Sequence, residues 1–270
     1  MKISIVTINY NNLEGLKKTV SSVVNQTSKE FNYVIIDGGS IDGSKEYLES
    51  NNHYFDYWVS EPDKGIYNAM NKGILKATGE YLLFLNSGDY LVNEYALENV
   101  VPLLTHNIVA FDCLLEKSGK IVGKRTHIER PTFHYVYKNG FKHQSTFVRS
   151  ELFNIIGLYN ESYKISGDYE FWIRCFLYPK LTCKGVKFTT SVFELGGISQ
   201  NSDWGAEHKL IENDLLSNVI IDFYLIDDYL RFKKSALNRL FRIESLVLNF
   251  SSIKKSIKVY FKTKIKKILV

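Results

Sequence analysis

The opening 90 residues repeat one unit that leaves few folds open: a short apolar run, a polar loop at its C-terminal end, then a stretch with helical spacing. Ile3 to Ile8 reads as a buried strand and is followed by the polar Asn9 to Asn12. Leu13, Leu16, Val20, Val23 and Val24 then recur at helical spacing. Tyr33 to Ile36 predicts a second strand, ending in Asp37-Gly-Gly-Ser40, and Ser44 to Leu48 a second helix. Asp56 to Ser60 predicts a short strand, Gly65 to Thr78 a helix with Ile66, Met70, Ile74 and Ala77 on one face, and Glu80 to Leu85 a strand ending at Asn86-Ser-Gly-Asp89. This alternation predicts an α/β fold, a mostly parallel sheet flanked by helices. In open parallel sheets ligands bind beyond the carboxyl ends of the strands. The loops at Asn9, Asp37 and Asn86 are therefore expected to meet in one crevice.

The second half is less regular. Ile108 to Glu116 and Lys120 to Arg125 predict a hairpin around Ser118-Gly119. Phe141 to Arg149 predicts a strand, Gly167 to Phe176 a helix and Val186 to Leu195 a late strand. A helix is expected from Glu207 onward, with Leu210, Leu215, Ile220 and Ile221 as contacts. A boundary near Asp203 to Gly205 divides the expected domain, 1–204, from a helical extension, 205–270.

With 45% hydrophobic and 23% charged residues, the 270-residue chain can bury a core, which excludes general disorder. Cys113, Cys175 and Cys183 lack metal-ligand spacing and read as reduced thiols of a cytosolic protein. No signal peptide and no apolar run of membrane-spanning length is evident, so a cytoplasmic location is expected. The net charge of +5 hides an asymmetry: residues 231–270 hold twelve Lys or Arg and one acid, Glu244, for +11, which leaves −6 for residues 1–230. Within 251–270 seven lysines surround Ile253, Ile257, Phe261, Ile265 and Ile268 at three- or four-residue spacing. That pattern reads as an amphipathic helix on an anionic membrane surface or as one packed on the body or a partner subunit. Nucleic acid is not expected, since no recognition fold accompanies the charge.

Three carboxylates stand where chemistry could use them. Asp37, beside glycines that let backbone approach a ligand, could accept from a base or ribose, or simply close a turn. Asp89 could hold Mg²⁺ or Mn²⁺, hard cations that favour oxygen donors and offset charge on a departing diphosphate, or again close a turn. Asp168, at a predicted helix start, could take the proton of an attacking hydroxyl or merely cap the helix. His143-Gln144 reads as a contact for a pyrophosphate or an acceptor, or as a satisfied loop pair. Trp204 reads as a ring-stacking or a core residue, and Gly196-Gly197-Ile198-Ser199 as a closing loop or an ordinary turn.

The motifs in order resemble family 2 glycosyltransferases of the GT-A fold: Ile-Val-Thr-Ile-Asn-Tyr-Asn-Asn, Ser-Val-Val-Asn-Gln-Thr, Ile-Ile-Asp-Gly-Gly-Ser-Ile-Asp-Gly-Ser, Glu-Pro-Asp-Lys-Gly-Ile-Tyr-Asn-Ala-Met-Asn-Lys-Gly and Thr-Gly-Glu-Tyr-Leu-Leu-Phe-Leu-Asn-Ser-Gly-Asp. The resemblance covers about residues 1–200. It implies that Thr7, Asn9 and Asn11 line the nucleotide pocket, that Asp37 binds the base with Gly39 leaving room, and that Asp63 and Lys64 lie near base and sugar-phosphate. It implies that Asn71 and Lys72 face the nucleotide. The Asp-x-Asp element falls on Asn86, Ser87, Gly88 and Asp89, with Asp89 on the metal, and Asp168 matches the base. Asn86 and Gly88 replace two acids, and Gly167 replaces the Glu before the base. A subgroup that builds surface polysaccharides shares these departures together with His143-Gln144. The expectation is an inverting transfer from a nucleotide-sugar, by family precedent a UDP-sugar, to a saccharide or lipid-linked acceptor at the inner membrane face. A nucleotidyltransferase, which would want a glycine- and arginine-rich loop where Asn9 to Asn12 stands, and an inactive nucleotide-sugar-binding module are the alternatives.

Overall fold

A computed structural model describes residues 2–197 and 204–216. Up to Leu215 the chain forms one compact unit. The elements run β1 (Ile3–Asn9), α1 (Leu13–Val24), β2 (Phe31–Asp37), α2 (Ser44–Ser50), β3 (Tyr57–Ser60), α3 (Ile66–Lys76), β4 (Tyr81–Phe84), β5 (Tyr90–Leu91) and α4 (Ala96–Val100). They continue with β6 (Ile108–Lys117), β7 (Lys120–Arg125), α5 (Phe133–Asn139), a 3-10 turn at His143–Ser145, β8 (Thr146–Arg149), α6 (Glu151–Ile156), α7 (Gly167–Leu177), β9 (Cys183–Glu194) and α8 (Trp204–Leu216).

The strands join one sheet in the order β3-β2-β1-β4-β8-β6-β9-β5, with β7 on β6. The expected parallel sheet is real for β1 to β4. Beyond β4 the sheet is mixed, because β8 runs antiparallel to both β4 and β6 while β6 and β9 are parallel. The β6–β7 hairpin forms as expected.

β1 is buried along its whole length, so its alternate side chains serve two cores. Ile3 and Ile5 join Leu16, Val20 and Val23 of α1, Leu48 of α2 and Leu97 and Val100 of α4. On the opposite face the Phe84 ring meets Phe153 at 6.4 Å and Tyr159 at 5.7 Å, and Phe153 stacks on Phe171 of α7 at 4.8 Å. Tyr67 of α3 completes this aromatic cluster, 5.6 Å from Tyr159. Each such buried ring contributes about 1.5–3 kcal/mol. The cluster sets the start of α7, and with it Asp168, against the sheet.

Three sequence expectations are corrected. Phe141 to Arg149 is a strand only over β8, because the Lys142 carbonyl accepts from Ser145 N at 3.0 Å and Thr146 Oγ1 at 2.8 Å and closes a turn first. In α3 the buried face is Tyr67, Ala69, Met70, Asn71 and Gly73 instead of the aliphatic row through Ile66 and Ile74. In α8 Leu210 is exposed and its neighbour Ile211 is buried, a shift of one helical step. The short α4, α5, α6 and β5 lie below the length at which periodicity can be read. Ile220, Ile221 and the basic segment 251–270 lie outside the described residues.

Candidate active site

Parallel register sets Asn9, Asp37 and Ser60 side by side at the carboxyl edge of β1, β2 and β3. Asp37 is fully buried and makes four hydrogen bonds. Its Oδ1 accepts from Asn9 Nδ2 at 2.7 Å and Ser40 Oγ at 2.6 Å, and its Oδ2 from Ser40 N at 2.9 Å and Ser60 Oγ at 2.6 Å. A carboxylate offers about four such sites, so Asp37 organises the three loops. The same serine pulls in Asn11, whose N–H donates to Ser40 Oγ at 2.8 Å. Gly39 holds φ +79° with Pro62 N 3.1 Å from where a Cβ would sit, so the Glu61-Pro62 segment presses directly on this loop. Thr7 stands back from the edge, buried with its hydroxyl against Tyr33 Oη at 3.2 Å.

The residues expected to face the nucleotide along α3 turn to structural tasks. Asn71 is buried and clasps Tyr159, donating to its carbonyl at 2.9 Å and accepting from its N–H at 3.0 Å, and it also donates to Glu161 at 2.8 Å. Lys72 donates to Glu61 at 2.7 Å and to the Pro62 carbonyl at 3.2 Å. Asp63 accepts from Gly65 N at 2.9 Å, with its Oδ2 against Gly38, beside exposed Tyr10. Lys64 points to solvent, and its N–H donates to Asn68 at 3.2 Å.

Two consecutive residues of the 3-10 turn join the distant carboxylates. Gln144 Nε2 donates to Asp89 Oδ2 at 3.4 Å. His143 Nδ1 lies 3.2 Å from Asp168 Oδ2, and its Nε2 lies 3.2 Å from Asn86 Nδ2. The imidazole thus stands between the Asn86 amide and the Asp168 carboxylate. Ser87 is tied to β1, its N–H donating to the Ile8 carbonyl at 3.0 Å. The 3-10 turn thus joins Asn86, Asp89, His143, Gln144 and Asp168.

The two carboxylates are tuned in opposite directions. Burial pushes Asp168 up, but the hydrogen bond and charge of His143, the charge of Lys142 and the Tyr169 N–H outweigh it and hold it below its ordinary value. Burial carries Asp89 from 3.8 up to about 7; nearby Glu194 adds to the rise, while His143, the Glu194 N–H and Gln144 oppose it. Asp168 is thus held in its ionised form, and Asp89 is a buried acid whose ionisation a nearby cation would favour.

Three contributors were not legible in the sequence. Tyr67 donates to Asp168 Oδ1 at 3.1 Å, with its ring filling the space beside Gly167, where a Cβ would come within 2.8 Å of it. Glu194 donates its N–H to Asp89 Oδ1 at 3.1 Å. Glu207 of α8 accepts from the N–H groups of Lys164 at 2.7 Å, Ile165 at 3.1 Å and Ser166 at 2.8 Å, bracing the entry to α7. Trp204 is exposed and edge-on to His208 at 4.9 Å, and His208 stacks on Tyr169 at 4.0 Å. Leu195 and Gly196 form a turn after β9 with Gly197 in a bend, and Ile198 and Ser199 lie outside the described residues.

The donor set suits a hard divalent cation. Asn86 Oδ1 and Gln144 Oε1 are buried oxygens without a hydrogen-bond partner, on the residues that flank Asp89 and His143. Among the described residues no group of three His, Cys, Asp or Glu side chains converges, so amide oxygens would have to share the task. All three cysteines are free. Among the described residues no helix is long and apolar enough to cross a membrane.

Comparison with known proteins agrees with this geometry. An uncharacterized glycosyltransferase of Mycobacterium tuberculosis is 34% identical over 180 residues, 65% of this chain and 69% of that protein. The PGL/p-HBAD biosynthesis glycosyltransferase of Mycobacterium bovis BCG is 31% identical over 195 residues, 68% of this chain and 73% of the relative. Among solved structures, S. aureus TarS 1-349 in complex with UDP-GlcNAc superposes with a TM-score of 0.62 at 19% identity, over 75% of this chain and 61% of that one. Mannosyltransferase PcManGT from Pyrobaculum calidifontis, in complex with GDP-Man and Mn²⁺, gives 0.55 at 15% identity, over 73% of this chain and 58% of that one. These likenesses establish the GT-A architecture. The profile of "Glycosyl transferase family 2" matches residues 4–161. With its motifs, fold and relatives in agreement, the chain belongs to the family 2 glycosyltransferases.

Proposed function

We propose that this glycosyltransferase moves a sugar, with inversion, from a UDP-sugar to a saccharide or lipid-linked saccharide acceptor in surface polysaccharide or glycolipid assembly. The observation that carries the reading is the adjacency of His143 and Gln144, which ties Asp168 and Asp89 to one crevice. Asp168 takes the proton of the acceptor hydroxyl as it attacks. Three of its lone pairs are used by Tyr67, His143 and the Tyr169 N–H, which leaves one for that proton. His143 and Tyr67 hold the carboxylate in place, and the low pKa keeps it ionised. Asp89, with the Gln144 amide oxygen, would hold Mn²⁺ or Mg²⁺, which supplies Lewis-acid stabilisation of the departing diphosphate. Asn9, Asn11 and Asp37 shape the nucleotide end of the crevice.

UDP is favoured by the UDP-GlcNAc complex of TarS. The nucleotidyltransferase and the inactive module lose their footing with family membership and an ionised Asp168. We assign the compact unit up to Leu215, whose Glu207 braces the entry to α7, to catalysis, and the basic end of the chain to the cytoplasmic face of the membrane. The decisive experiment is Asp168→Asn. Loss of the base should lower transfer about 10²- to 10⁴-fold, while the thermal shift given by the UDP-sugar is unchanged. Wild-type turnover in that variant would remove Asp168 as the base.

A further inference from the structure

Gly88 stands where the family's metal motif carries an acid, and another side chain has taken its space. Gly88 holds φ +107°, and a Cβ built there would lie 2.7 Å from Glu194 Oε2. Pairing of β5 with β9 opposes Tyr90 to Val192, which carries Glu194 alongside the Asp89 loop. The Glu194 N–H then donates to Asp89 Oδ1 at 3.1 Å, so the backbone of one acid is fixed on the carboxylate of the other. Two carboxylates from separate segments thus share one corner of the crevice.

A second observation points to a ligand there. Gln144 is fully buried, its Nε2 is 3.4 Å from Asp89 Oδ2, and its Oε1 has no partner. A buried acceptor left unpaired is costly, and beside two carboxylates a cation would satisfy it. Lys18 does not serve. Its Nζ bonds Glu116 at 2.7 Å and lies 3.8 Å from Glu194 Oε2. Oxygen donors from carboxylate and amide are the set that hard divalent cations select.

We propose that Glu194 supplies the second carboxylate of the divalent-cation site, replacing from β9 the acid absent at position 88. The cation would be held by Glu194, Asp89 and the Gln144 amide oxygen, with its remaining positions open to diphosphate oxygens and water. This rests on the reading of Asp89 as a metal carboxylate.

The test is Mn²⁺ binding to the full-length protein, followed by EPR of the free ion with and without UDP. Loss of outer-shell partners alone costs metal sites about 10- to 100-fold in affinity, so Glu194→Gln is expected to weaken Mn²⁺ binding at least tenfold. Exposed Glu151→Gln on α6 is the charge-matched control and should bind as wild type. The Glu194 side chain is 40% exposed, so the substitution leaves the core intact, which thermal melts verify. Asp89→Asn separates the two readings. Wild-type affinity in Glu194→Gln with loss in Asp89→Asn overturns the role of Glu194 alone. Wild-type affinity in both overturns the metal site as a whole.

Discussion

Replacing Gly167 by alanine should destabilise the protein, although the usual sign for a helical glycine is the opposite. Gly167 is the first residue of α7, where alanine would normally gain up to about 0.5–1 kcal/mol. Here the added Cβ would meet Tyr67 Cδ2 and Cε2, both at 2.8 Å. That ring cannot swing away, because it is buried against Tyr159 at 5.6 Å and its hydroxyl is bonded to Asp168 at 3.1 Å. Overpacking of this kind costs about 1–3 kcal/mol, so the net loss should be about 0.5–2 kcal/mol. In a protein of this size that lowers Tm by about 2–4 °C per kcal/mol. Urea and thermal unfolding of wild type, Gly167→Ala, Tyr67→Ala and the double variant form the assay. In the double variant the clash partner is gone, and the alanine should become neutral or stabilising. A coupling of about 0.5–3 kcal/mol is the expected signature of residues in contact. A Gly167→Ala protein more stable than wild type, or strict additivity in the cycle, would refute the claim that Tyr67 occupies the space of the missing side chain.

Other consequences are equally measurable. Because burial raises Asp168 and His143 with Lys142 pulls it down, His143→Gln should let burial prevail. The protonated base is inactive, so at saturating Mn²⁺ the acid limb of the variant's kcat/KM profile should lie at higher pH than that of wild type; superimposable profiles would refute the tuning. Asn71→Ala should cost about 2–6 kcal/mol, since it strands the buried N–H and carbonyl of Tyr159 at about 1–3 kcal/mol each; a wild-type urea midpoint would contradict it. Removing residues 251–270 takes away seven lysines, each worth about 1 kcal/mol at an anionic surface. The truncated protein should no longer sediment with phosphatidylserine vesicles, and equal sedimentation would sink the membrane role of the tail.

The sequence by itself determined the alternation of strand and helix and the convergence of polar loops on one edge of the sheet, and it singled out Asp89, His143, Gln144 and Asp168, which the structure places in hydrogen-bonded pairs. These were legible because periodicity and loop position are local properties, and the parallel register does the rest. Only the tertiary structure decided where the lone pairs and side-chain volumes went. Asp37 reads as a ligand in sequence, yet it bonds Asn9, Ser40 and Ser60. Asn71 likewise turns from the nucleotide to Tyr159, 88 residues away. A glycine announces an absent side chain without saying what fills the gap. Tyr67 at Gly167 and Glu194 at Gly88 come from segments about a hundred residues distant. Contacts of that range are set by how whole layers pack, and no spacing along the chain encodes them.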